Sequence, residues 1–148
     1  MASNTVIKTL SSSGSVAVAA SNNELSATAY SSYTGYSTFL ATGVYRFSAT
    51  GSIAINKVNH RDAGVNTVVV EIEHVSVAGG TSTHSFTLIS SESATSATKY
   101  LDVPVSAGDR IRCRFKCYNL GYTDNCSFAY VGDNFTFTWT DISIRGTV

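Results

Sequence analysis

The residues with the most chemistry to offer stand in one run. In Arg110-Ile111-Arg112-Cys113-Arg114-Phe115-Lys116-Cys117, a period of two sends Arg110, Arg112, Arg114 and Lys116 to one face of a strand. Ile111, Cys113, Phe115 and Cys117 go to the other. Four like charges on one ladder repel unless something answers them. Glu71 and Glu73, also two apart and outward-facing, are the cross-strand partners to expect for Arg112 and Arg114. Each exposed pair contributes only ~0.2–1 kcal/mol, so the gain is register more than stability. The alternative is a basic strip for phosphate or an acidic partner.

A second pattern is aromatic. Tyr30, Tyr33, Tyr36 and Phe39 recur every three residues, and the Ser, Thr and Gly between them argue against a helix. The rings either pack under a loop or form a ledge on which a sugar stacks, with Tyr118 and Tyr122 as further stacking candidates.

Other reactive side chains are scattered. His74 shares the inward phase of Val70 and Ile72 and reads as a satisfied core histidine, while His60 and His84 stand apart. Cys113 and Cys117 are about 13 Å apart at ~3.3 Å per strand residue. A disulfide needs Cα atoms within ~7 Å, so those two do not bridge each other. Cys126 could pair with either across a hairpin; the plainer reading is three buried thiols acting as small apolar groups. Asp124-Asn125 and Asp133-Asn134 fit turn capping better than calcium. Asn125-Cys126-Ser127 and Asn134-Phe135-Thr136 match the glycosylation sequon, which matters only on a secretory route. No Gly-x-Ser-x-Gly elbow, phosphate loop or His-Glu-x-x-His helix occurs. Binding rather than catalysis is expected, with no cofactor and no metal.

The elements that must position these groups are strands. The chain has 148 residues, 14% charged, with ten basic and ten acidic side chains. That balance argues against nucleic acid, and no apolar run is long enough to span a membrane. The start Met1-Ala2-Ser3-Asn4-Thr5 lacks the basic region of a secretory leader, so synthesis in a cytoplasm is expected. Strand signals fall at 43–55, 66–77, 84–90, 99–105, 110–118, 127–131 and 134–145, with Pro104 marking an edge or strand end. Residues 1–38, poor in charge and with short strand candidates at 5–10 and 15–18, read as an extended arm lying on a sheet or on a neighbouring subunit, and 39–148 as the domain proper. The whole predicts an all-β, antiparallel jelly-roll sandwich.

The last strand changes phase. Phe135, Phe137 and Trp139 share one face, yet Ile142 and Ile144 fall on the face of Thr136, Thr138 and Thr140. Either a bulge near Thr140-Asp141 or burial of both faces would reconcile this. The second is preferred here, with one face in the core and the other against another subunit.

Three motifs carry a family resemblance. Thr42-Gly43-Val44-Tyr45-Arg46-Phe47, the run Leu101-Asp102-Val103-Pro104-Val105-Ser106-Ala107-Gly108-Asp109-Arg110-Ile111, and Phe135-Thr136-Phe137-Thr138-Trp139 resemble the C1q/tumour-necrosis-factor superfamily of jelly rolls. Similar jelly rolls serve trimeric phage and virus structural proteins. The resemblance implies a homotrimer with Phe135, Phe137, Trp139, Ile142 and Ile144 near the threefold interface. It also implies that the Glu71/Glu73 strand neighbours the Arg112/Arg114 strand. The expected function is a virion structural protein, decorating a capsid or tipping a fibre and binding a receptor, held to a capsid or tail protein through residues 1–38. A carbohydrate-binding lectin module using Tyr30, Tyr33, Tyr36, Tyr118 and Tyr122 is the alternative.

Overall fold

The computed structural model describes residues 5–19, 26–56, 65–120 and 134–146. His60, Tyr122, Asp124, Asn125, Cys126 and Asp133 lie outside these residues, as does the strand expected at 127–131. Ten strands are present: β1 (Val6–Ser11), β2 (Gly14–Ala19), β3 (Ser26–Tyr30), β4 (Ser37–Thr38) and β5 (Gly43–Asn56), then β6 (Asn66–Val75), β7 (Thr81–Ser91), β8 (Thr95–Val105), β9 (Arg110–Leu120) and β10 (Asn134–Gly146). They form two antiparallel sheets. Sheet A runs β1-β10-β5-β8, with β2 also on β10; sheet B runs β3-β9-β6-β7, with β4 also on β9. Taking β1–β2 and β3–β4 as two interrupted strands, the orders are first-eighth-third-sixth and second-seventh-fourth-fifth, those of a jelly roll. The expected sandwich is what forms. Among the described residues no helix is long and apolar enough to cross a membrane.

The core lies between the sheets and follows the period of two. Val68, Val70 and Ile72 on β6 and Ile111, Cys113, Phe115 and Cys117 on β9 are at most 2% exposed. Phe47, Ala49 and Ile53 on β5 oppose them from sheet A. Burying side chains of this size contributes on the order of 1.5–3 kcal/mol each. Phe115 spans the two layers, its ring 4.8 Å from that of Phe137 and 4.9 Å from that of Trp139. Burial pushes the Cys113 and Cys117 thiols up to about 12, so both are inert packing groups. Pro104 sits near the end of β8, the edge strand of sheet A, where its missing N–H costs nothing.

Of the two placements expected for residues 1–38, the described ones take the first and lie on the sheets as strands of them. Residues 6–19 supply β1 and β2 to sheet A, residues 26–38 run along β9 in sheet B, and Val16 and Val18 are buried in the core. The extended segment lies on the sheets because these edges of β9 and β10 would otherwise leave their backbone groups unpaired.

The phase switch in β10 is a bulge. Trp139 opposes Gly51 and Asp141 opposes Thr50, leaving Thr140 as the extra residue. Phe135 and Phe137 before it, and Ile142 and Ile144 after it, therefore point the same way, and all four are at most 2% exposed within the single chain. They hold the sandwich together and present no surface to another subunit. Trp139 is half-buried beside them.

Trp139 is the chain's one tryptophan, and both strands beside it place a glycine opposite: Gly14 on β2 and Gly51 on β5. A Cβ at Gly14 would collide with the indole, and one at Gly51 with the Phe137 ring and the Thr138 carbonyl oxygen, the latter at 2.8 Å. Gly51→Ala is accordingly expected to destabilise the fold by about 1–3 kcal/mol through overpacking, read as a lower urea midpoint with the slope unchanged.

Candidate functional site

The outer face of sheet B is a layered charge and aromatic array. β6 and β9 place Glu71 opposite Arg114 and Glu73 opposite Arg112. Arg114 Nε donates to Glu71 Oε1 at 2.8 Å, and Arg112 donates through Nε and Nη2 to Glu73 Oε2 at 3.1 and 2.9 Å. The tyrosines interleave with these cations. Arg114 stacks on Tyr30 and Tyr33, at 4.1 and 4.6 Å from their ring centres. Arg112 lies 3.9 Å from Tyr33 and 4.6 Å from Tyr36, which also meets Arg110 at 4.6 Å. The Tyr36 hydroxyl donates to Glu73 Oε1 at 2.7 Å, which raises the Tyr36 pKa. That hydrogen bond, and then those from Arg112, hold the Glu73 carboxyl below its usual range.

The three-residue spacing has a backbone cause. Ser31 N–H donates to the Phe115 carbonyl at 2.9 Å and Thr34 N–H to the Cys113 carbonyl at 2.8 Å. In return, Phe115 N–H donates to Ser31 Oγ at 2.8 Å and Cys113 N–H to Thr34 Oγ1 at 3.0 Å. Hydroxyls thus stand where partner-strand carbonyls would be. Residues 31, 34 and 37 meet 115, 113 and 111, three residues advancing for every two of β9. Each tyrosine precedes one of these anchors, so Tyr33 and Tyr36 fall between successive arginines and Tyr30 beside Arg114.

This array revises the stacking ledge. Tyr33 and Tyr36 each lie between two guanidiniums, so their faces are occupied by arginine, and Tyr118 lies over Lys116 at 5.5 Å. Tyr30 meets one arginine and is 47% exposed.

Beside the array, between β2 and residues 29–34, opens a groove of about 620 Å³. Its walls include Tyr30, Tyr33, Trp139, Ser11, Ser32 and Thr34, and none of the described residues lining it is charged. Trp139 Nε1 donates to Ser11 Oγ at 2.9 Å, which fixes the indole. The groove was not legible in the sequence, since Ser11, Ser32 and Trp139 meet only through the sheet pairing.

The outer face of sheet A differs in character. Two adjacent rows, Ala17–Thr136–Ala54 and Ser15–Thr138–Ser52–Ser96, carry only short uncharged side chains. Thr50 and Thr98 follow, their hydroxyls 2.8 Å apart. Charges on this face begin past the bulge, where Arg46 pairs with Asp102 at 2.9 Å and Asp141 with Arg145 at 3.7 Å.

A third cluster closes one end of the sandwich. His74 Nε2 lies 2.7 Å from Asp109 Oδ2, and His74 Nδ1 lies 3.2 Å from His84 Nε2. Asp109 also accepts from Val77 N–H at 2.9 Å and Ser106 N–H at 3.0 Å, tying the β6–β7 hairpin to the β8–β9 turn. His74 is therefore a satisfied core histidine, as its phase suggests. Asp109, which enters the sequence reading only as part of the run 101–111, is the acceptor that organises this end.

Two measurements follow from this geometry. Thr34→Val leaves the Cys113 N–H without its acceptor in the interior and should cost about 1–3 kcal/mol in urea unfolding, while Thr34→Ser, which keeps the hydroxyl, stays close to the parent. Acid should act in two windows. Burial and the nearby His74 lower the His84 pKa from 6.5, so the unfolded chain takes up that proton first and stability falls as pH drops below about 6.5. Hydrogen bonds from His74 and the backbone lower the Asp109 pKa from 3.8, and its contribution is lost only as pH falls below that value. His84→Asn should flatten the urea midpoint between pH 7 and 5 and leave the lower window in place.

No family model and no curated protein matches the chain. Among solved structures it is similar to TmCBM61 in complex with β-1,4-galactotriose, at 12% identity over 89% of this chain and 68% of that one, with a TM-score of 0.40. It is also similar to Eiger TNF from S. frugiperda, at 16% identity over 72% of this chain and 64% of the other, with a TM-score of 0.35. The bacteriophage CBA120 tailspike protein 4 domain aligns at 8% identity over 100% of this chain and 21% of its own, with a TM-score of 0.42. The jelly-roll assignment stands on the strand order, and likenesses at this level carry nothing about function.

Proposed function

We propose that the chain is a structural and interaction module of a virus particle, working by self-association and binding rather than catalysis, with three copies meeting on the outer face of sheet A. The observation that carries the reading is the run of short uncharged side chains across β2, β10, β5 and β8. A sheet face that meets only water is ordinarily studded with long charged side chains. Here Ala, Ser and Thr leave it flat, so that another sheet can approach closely, and they lose little rotamer entropy on burial. The jelly roll is an architecture of viral capsid proteins, which supports the particle setting.

This reading keeps β10 at the subunit contact and moves the contact to its opposite face. Thr136 and Thr138, not Phe135, Phe137, Ile142 and Ile144, are the residues that meet a neighbour. Attachment to a capsid or tail protein then uses the surface of the folded sandwich, because residues 6–19 and 26–38 are already engaged in its sheets.

Size exclusion with light scattering tests it. The expected mass is three times the 15.7 kDa of one chain. Thr138→Arg, at an exposed position, should keep the fold by circular dichroism and reduce the mass to that of one chain. A parent protein that runs as a single chain at micromolar concentration overturns the proposal.

A further inference from the structure

We infer that the groove between β2 and residues 29–34 binds an uncharged saccharide. The site lies at the adjoining edges of the two sheets, where Ser15 and Ala17 of β2 border both it and the proposed subunit contact. Its volume, about 620 Å³, is that of a small-molecule site. Its lining selects by chemistry. Among the described residues none of the lining side chains is charged, so they offer an ionic ligand no counter-charge. The neighbouring arginines are turned to the outer face of sheet B, and two of them are answered by Glu71 and Glu73.

What the groove offers instead is ring surface beside hydroxyls. Tyr30 keeps one arginine-free face and is 47% exposed. Ser32 provides a hydroxyl at the exposed rim, those of Ser11 and Thr34 being engaged with Trp139 and the Cys113 N–H, and β2, paired only with β10 among the described residues, forms the facing wall. A sugar ring has both complements, a C–H face for an aromatic ring and a rim of hydroxyls that donate and accept. The walls are also set before any ligand arrives. Trp139 is held by Ser11, and Tyr33 is clamped between Arg112 and Arg114, so little side-chain freedom remains to be lost on binding.

The single tryptophan lines the groove, so its fluorescence reports the site directly. The intact chain would be titrated with maltotriose, cellotriose, N-acetylchitotriose and β-1,4-galactotriose, and with sialyllactose and a sulfated trisaccharide as charged comparators. A saturable change at millimolar or lower concentration with at least one uncharged sugar is expected, and a weaker response to the charged ones. Tyr30→Ala should weaken binding roughly tenfold or more, and Ser32→Phe, which fills the groove from its exposed rim, should abolish it. Both positions are at the surface, so circular dichroism should show the fold kept. Three results each overturn the inference: no response of the indole fluorescence or indole N–H resonance to any uncharged sugar, tighter binding of the charged comparators, or binding unchanged by both substitutions.

Discussion

Much of this molecule depends on how residues 30–37 hold the edge of β9. Backbone pairing alone would advance one residue for one, and every second side chain would face outward. By letting the Ser31 and Thr34 hydroxyls accept the β9 N–H groups, the segment gains an extra residue at each step. That slack brings a tyrosine, rather than a serine, beside each gap between arginines. It also carries the segment along the rim of the groove, so one local exchange of acceptor sets the edge of sheet B, the order of the cation–aromatic stack and one wall of the cavity. The third anchor, Ser37, returns to ordinary backbone pairing with Ile111, and its hydroxyl is left buried without a partner.

The arginines of β9 are tolerated because they are answered twice. Glu71 and Glu73 neutralise two of them from β6, and the tyrosine rings spread the remaining field over π faces at 3.9–4.6 Å. Tyr36 joins the two systems through its hydrogen bond to Glu73. A strand with four cations on one face thereby sits within a stable sheet, while its other face supplies Ile111, Cys113, Phe115 and Cys117 to the core.

Period two made much of this readable in advance. The pairing of Glu71 and Glu73 with Arg114 and Arg112 follows from alternation and charge, and so do the inward residues of β6 and β9. The recurrence of Tyr30, Tyr33 and Tyr36 was visible too, but its meaning was not. Nothing in a list of residues says that Ser31 and Thr34 will replace backbone acceptors, and without that the rings look free to take a ligand. The bulge at Thr140 shows a different limit. The phase change in β10 had two physical solutions, and only the register against Gly51 and Thr50 separates them. Choosing burial against a neighbour over a bulge put the core residues on the wrong side of the sheet. The groove and the His84–His74–Asp109 chain escaped because their members meet only in three dimensions, Ser11 and Trp139 standing 128 positions apart.

The three-for-two register also limits how the chain can change length. Adding or removing one residue between Tyr30 and Ser37 would throw every later hydroxyl and ring out of step with β9. Lengthening β9 by two residues would demand three from its partner. The two segments are therefore locked in a fixed ratio, and this edge of the sandwich can grow or shrink only by paired steps of five residues. Point substitutions that keep a hydroxyl at 31 and 34 pass through this filter, and insertions do not. Sequence drift at this edge is confined to what side chains can absorb.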